Sequence, residues 1–91
     1  MLINYHQDPG HGWLQVSRTE AKKLLGPDFK RISPYSYQRG SRGPDAVVFL
    51  EEDCDAGLLL RALERAGIQP EIIDRHSNTD SFIRNLPSFR P

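Results

Sequence analysis

The sequence predicts an α+β fold: one domain with a mainly antiparallel sheet and two helices on one of its faces. Three observations point there. Short runs of strand-forming residues come in pairs, each pair leads into a segment with helical start and stop signals, and a last strand-like run closes the order ββαββαβ. Ninety-one residues of which 37% are hydrophobic supply one core and not two, so a single domain is expected over residues 1–91, with the tail after about residue 77 irregular.

Leu2 to His6 and Trp13 to Val16 read as the first two strands. Between them, Pro9 presets φ and Gly10 accepts a positive φ, the requirements of a type II turn. Ser17-Arg18-Thr19-Glu20 is a capping box, which starts a helix over about Arg18 to Leu25 that Gly26-Pro27 stops. Pro34 to Arg39 alternates Tyr35 and Tyr37 with polar residues, and a Gly/Pro loop separates it from the apolar run Ala46 to Leu50, giving a second hairpin. From Asp55 to Ala66 the apolar residues Leu59, Ala62, Leu63 and Ala66 keep the i, i+3, i+4, i+7 spacing of a helix face, ended by Gly67. Glu71 to Arg75 is the last strand.

Composition excludes several function classes. Twelve basic and twelve acidic residues cancel, so no global field draws the chain onto nucleic acid or an anionic membrane. The longest apolar runs, Ala46 to Leu50 and Leu58 to Leu60, are too short to span a bilayer, so no membrane partner is expected. The single cysteine forms no internal disulfide, and MLINYHQDPG shows no basic start followed by an apolar signal core. The expected location is the cytosol, in a bacterium or delivered into one.

Two stretches carry candidate chemistry. In DPGHGW, His11 stands two residues from the only tryptophan, Trp13. Trp13 can cover the open end of a small core with its indole nitrogen near water, or it can hold His11 as a general base, metal ligand or recognition contact. In LEEDCD, Glu51, Glu52, Asp53 and Asp55 crowd the junction between a strand and a helix. Asp53 or Asp55 can cap that helix. Strand alternation sends Glu51 and Glu52 to opposite faces. The four acids together are read as an acidic patch facing a partner; a Mg²⁺ or Ca²⁺ site is the alternative, without the glycine-punctuated loop of calcium binders. Cys54 reads as a small buried thiol, since its acidic neighbours disfavour a thiolate.

His76 follows the last strand and reads as a surface loop residue, with a recognition role as the alternative. Lys30, Arg31, Arg39 and Arg42 bracket Tyr35 and Tyr37, the combination that holds single-stranded nucleic acid by phosphate contact and base stacking; because both tyrosines fall on one face and one face must meet the helices, core or sheet-edge tyrosines are the favoured reading. Arg75, Arg84 and Arg90 form a second basic zone, one member of which is expected to pair with the acidic run. No Cys and His spacing matches a zinc site. The sequence therefore assigns no catalytic residue, no metal and no cofactor.

DPGHGWL at 8–14, PYSYQRG at 34–40, VVFLEEDCDAGLLLRAL at 47–63 and DRHSNTDSFIRN at 74–85 together resemble a group of short proteins encoded by phages and plasmids. The resemblance covers most of the chain, and EEDCDA is its most specific piece. It implies a genomic setting and no reaction. Small accessory proteins of mobile elements frequently bind a host protein, inhibitors of defence systems such as anti-CRISPR proteins among them.

The leading expectation is a non-enzymatic binding protein of that kind, presenting Glu51, Glu52, Asp53 and Asp55 to a host protein or complex with a basic, nucleic-acid-handling surface. The alternative is a small enzyme or metal-binding domain using His11, His76 and the Glu52, Asp53 and Asp55 carboxylates. A further alternative is single-stranded nucleic-acid binding through Tyr35, Tyr37, Arg39 and Arg42, which the zero net charge disfavours. The sequence leaves the oligomeric state open.

Overall fold

The computed structural model describes residues 1–40 and 42–91. Five strands form one sheet in the order β3-β4-β2-β1-β5, with β1 at Leu2–Gln7, β2 at Gly12–Ser17, β3 at Tyr37–Arg39, β4 at Val47–Glu51 and β5 at Glu71–His76. All neighbours are antiparallel except β1 and β5, which run parallel in the register Leu2 to Glu71. Helix α1 spans Arg18–Leu25 and α2 spans Ala56–Arg65. The expected α+β class and order of strands and helices are present, joined by two 3-10 segments at Gly26–Arg31 and Phe82–Asn85.

Sheet alternation sorts the apolar residues into two cores. Ile3, Leu14, Val16, Val48 and Leu50 point to the face that α1 and α2 cover with Ala21, Leu25, Leu58, Leu59, Ala62 and Leu63. Both helices therefore lie on one face. Trp13 and Phe49 point the other way and pack against Ile83, with Tyr37, Val47 and Leu86 around them. The tail thus covers the second face. It ends in a bridge between Tyr37 and Ser88, and Phe89 reaches round to the helix side, where the Arg18 guanidinium lies 5.1 Å from the Phe29 ring and 5.5 Å from the Phe89 ring.

The helix ends follow their local signals. The Ser17 hydroxyl accepts from the Glu20 amide at 3.0 Å, as the capping box requires. Gly67, at φ 70°, lets the Ile68 amide reach back to the Leu63 carbonyl and close α2. Ala66, expected on the buried face, lies exposed past the last turn, while Ala56 and Leu58 at the other end are buried.

The first turn departs from expectation. Gly10 is not among the positive-φ glycines, so the turn is not type II. Asp8 organises it instead: its Oδ1 accepts the amides of Gly10 and His11, each at 3.0 Å, while its own amide donates to the His11 carbonyl at 2.9 Å. No helix among the described residues is long and apolar enough to cross a membrane.

Because Ile83 is fully buried against Trp13 and Phe49, Ile83→Ala should lower stability by about 2–4 kcal/mol. Denaturant melts followed by the fluorescence of Trp13 check this. The variant should also shift native emission to the red, as water reaches the indole.

Candidate functional site

Four separated segments meet at one end of the tail-covered face. β2 contributes Trp13, paired across the sheet with Glu51 at the end of β4. The first turn brings His11, the loop before β3 brings Tyr35, β3 itself brings Tyr37, the turn after β4 brings Asp53 and Cys54, and the second 3-10 segment brings Arg84. These eight residues line an open cavity of about 220 Å³.

Asp8 lies beneath it. Its buried carboxylate accepts Arg84 Nε at 2.6 Å, Arg84 Nη2 at 2.8 Å and the Ser81 amide at 2.9 Å, besides the two turn amides. The bidentate Arg84 contact, joined by the backbone donors, holds the Asp8 carboxyl well below the usual carboxylate range despite its burial, and Asp8 raises Arg84 in turn. The basic residue of the C-terminal zone expected to meet the acidic run meets Asp8 instead. Held there, the Arg84 guanidinium lies 5.5 Å from the Trp13 ring and closes it from solvent. Trp13 is 1% exposed, and its Nε1 has no partner among the described residues, so the indole nitrogen does not stay near water as the sequence suggested.

The acidic run divides. Glu51 is buried; its Oε2 accepts the amides of Asp53 and Cys54 at 2.8 and 2.9 Å, and its Oε1 lies 3.2 Å from His11 Nδ1. Where that carboxylate is ionised it can only accept, so Nδ1 is the donor in this contact. Asp55 is also buried and accepts the Ser33 amide, the Ser33 hydroxyl and the Ser36 hydroxyl. It occupies the N-cap position of α2, but its side chain makes no cap hydrogen bond there, so the capping contact expected from sequence does not form. What Asp55 fixes is the 33–36 loop: Ser36, fully buried, passes the contact on by accepting the Glu51 amide at 3.0 Å. Glu52 faces the helix side of the sheet, where the Tyr5 hydroxyl donates to it; burial and this bond push Tyr5 up to about 12. Of the four acids, Glu52 and Asp53 are exposed, and they lie on opposite sides.

Cys54 is exposed rather than buried, because it sits in the open turn Glu52–Asp55 at the cavity wall. Desolvation, a hydrogen bond to Glu51 and the charges of Glu51 and Asp55 push its thiol up. Tyr35 is 69% exposed, while Tyr37 packs edge-on against Trp13 with ring centroids 6.1 Å apart. Arg39 lies against Phe49, and Arg42 lines a different hollow beside Arg18 and Lys22, so these residues do not share a stacking platform with the tyrosines. His76 is exposed on β5, outside the cavity.

A ring nitrogen of His11 and one oxygen each of Glu51 and Asp53 lie within 4.8 Å of one another. These nitrogen and oxygen donors are of the kind a zinc ion takes. The other members of the enzyme or metal alternative, Glu52, Asp55 and His76, are not brought to them. Arg84, expected from sequence only as a member of the C-terminal basic zone, belongs to the cavity wall. No protein-family profile, curated protein or solved structure matches the chain.

Two outcomes follow. The folded Asp8 carboxyl titrates below its unfolded value of about 3.9, so its contribution is complete above that pH and is lost as pH falls through the acid range. Asp8→Ala should lower stability at pH 7, since five donors lose their acceptor, and the gap from the wild type should narrow below about pH 4 in melts recorded from pH 7 to 2. Native Cys54 should react slowly with iodoacetamide at pH 7 although it is exposed, with a rate that keeps rising beyond the ordinary thiol range; fast labelling at pH 7 would contradict the raised pKa.

Proposed function

We propose that this chain is a non-enzymatic binding protein that captures a cationic side chain, lysine or arginine, of a partner protein in the cavity between His11 and Tyr35. The observation that carries the reading is the convergence of DPGHGW, PYSY, EEDC and FIRN on that one cavity. Aromatic walls attract a cation through their ring faces, and a carboxylate beside them adds charge. Tyr35 offers an open aromatic surface, and the exposed Asp53 carboxylate makes no ion pair among the described residues. Arg84 does not cancel this charge, since Asp8 already neutralises it.

The acidic patch expected from sequence is thereby reduced to a narrower feature. Glu51 shapes the cavity from within, Asp53 faces the ligand, Asp55 positions the tyrosine loop and Glu52 serves the other side of the sheet. In the setting that the resemblance implies, the partner is a host protein with a lysine- and arginine-lined surface, such as a nucleic-acid-handling defence complex, and binding inhibits it. A raised thiol pKa at Cys54 and the distance of His76 from the cavity weigh against a nucleophilic enzyme.

The test is a titration followed by Trp13 fluorescence, with lysine- and arginine-rich peptides against acidic peptides of equal length. Basic peptides should change the emission in a saturable, salt-sensitive way, and acidic ones should not. Asp53→Lys should abolish the change while leaving the unfolding free energy within about 0.5 kcal/mol of the wild type, as surface substitutions do. Binding unaffected by Asp53→Lys, or absent for every basic peptide, defeats the proposal. Saturation by zinc alone, lost in His11→Ala, would assign the cavity to a metal ion instead.

A further inference from the structure

The two edges of the sheet are treated differently. The β3 edge is three residues long and the tail lies along it: the Gln38 amide donates to the Pro87 carbonyl at 2.9 Å and the Phe89 amide to the Ser36 carbonyl at 2.8 Å. The β5 edge has no such cover. It is six residues long, with Ile73 half-buried and the other five exposed, and among the described residues nothing bonds to its outer side. It contains no proline and no lysine, and its register against β1 runs without a bulge; Glu71, Asp74 and Arg75 are the charges that any pairing across it must match.

The direction of its free groups follows from its two ends. The Glu71 amide donates to Met1 and the Ser77 amide to Gln7, both at 2.8 Å and both towards β1. Backbone groups alternate along a strand, so Ile72, Asp74 and His76 turn their N–H and C=O outward. Two such edges can join antiparallel about a two-fold axis perpendicular to the sheet, which requires opposed residues to share a face.

Three registers are available near the strand centre. Centring on Asp74 sets that carboxylate against its own copy. Centring on Ile72 sets Pro70, which has no N–H, at a hydrogen-bonding position. Centring on Ile73 sets Ile73 against its copy, places Glu71 opposite the partner's Arg75 at both ends, and lets Ile72 and Asp74 exchange backbone bonds with the partner's Asp74 and Ile72. The opposed charges then attract, and apolar side chains meet at the middle. Ile72 and Leu60, each more than two-fifths exposed, lie beside the same edge on the helix side.

We infer that two copies of this chain associate through their β5 edges, antiparallel and centred on Ile73, with Glu71 of each copy opposite the partner's Arg75. The inference is independent of what the cavity binds, since β5 contributes no residue to its lining.

Sedimentation equilibrium on the full chain tests it. The wild type should show a concentration-dependent mass that rises from 10.4 kDa to twice that value. Asp74→Pro removes an outward N–H and none that points to β1, so it should give a folded monomer with wild-type circular dichroism. Glu71→Arg and Arg75→Glu should each weaken association by about tenfold or more, and the double variant should restore it. A second variant, Ile73→Lys, should also be monomeric. A wild type that stays at the mass of one chain up to millimolar concentration overturns the inference. So does a dimer that persists in both Asp74→Pro and Ile73→Lys, or a double variant that associates no better than the single ones.

Discussion

The Asp8 carboxylate and the Arg84 guanidinium, 76 residues apart in sequence, hold the candidate site in place. A buried carboxylate must replace its lost hydration with donors, and five are supplied: two turn amides, the Ser81 amide and two guanidinium N–H groups. Each donor fixes a different part of the molecule. The turn amides set the conformation that presents His11. The Ser81 amide and Arg84 seat the tail, so that Ile83 fills the second core and the guanidinium lies over Trp13. Gly10 belongs to the same constraint: a Cβ there would stand 2.7 Å from Arg84 Nη2, so the turn needs glycine for space and not for a positive φ.

The acidic run illustrates how carboxylates close in sequence acquire separate tasks. Trp13 opposite Glu51 sets the strand register, and that register aims Glu51 inward at the cavity and Glu52 at Tyr5 on the other side. Past the strand the chain turns, with the amides of Cys54 and Asp55 returning to the Glu51 carbonyl, and Asp55 swings under the Ser33 and Ser36 hydroxyls. Asp53 is left facing the cavity. Local repulsion among the four is limited because two of them are buried apart and held by amides or hydroxyls.

What the sequence disclosed, and what it hid, follows from which forces are local. Ser17 with Glu20, the apolar spacing of α2 and Gly67 act within a few residues, and the elements they mark are where expected. The type II turn failed because the same Asp-Pro-Gly residues admit a turn organised by the Asp8 side chain, and which one forms depends on Arg84 far along the chain. The tail looked irregular because Phe82, Ile83 and Leu86 show no helical or strand period; a 3-10 segment needs none, and its partner surface is assembled only when β2 and β4 pair. Burial of Glu51 and Asp55 was illegible for the same reason. Carboxylates read as surface groups until hydroxyl and amide donors from residues 33–36 and 53–54 are brought to them. His11 and Trp13 were singled out together, and they do share one site, but the indole is sealed by a residue that composition gave no cause to place there.

The arrangement of charge in that site argues for a cation more than for an anion. Arg84, the one guanidinium in the wall, has its field absorbed by Asp8, and an anionic ligand would approach Glu51 and Asp53 with nothing unpaired to meet it. A cationic group would find the Asp53 carboxylate and the ring of Tyr35. One such contact is weak, because a lysine or arginine head group gives up much of its hydration to enter. Two chains joined at β5 would carry two such cavities on one body. On a partner surface with repeated basic residues the second capture becomes intramolecular, provided that the spacing of the residues matches that of the cavities. Modest single-site affinity then becomes tight and selective binding without any further contact.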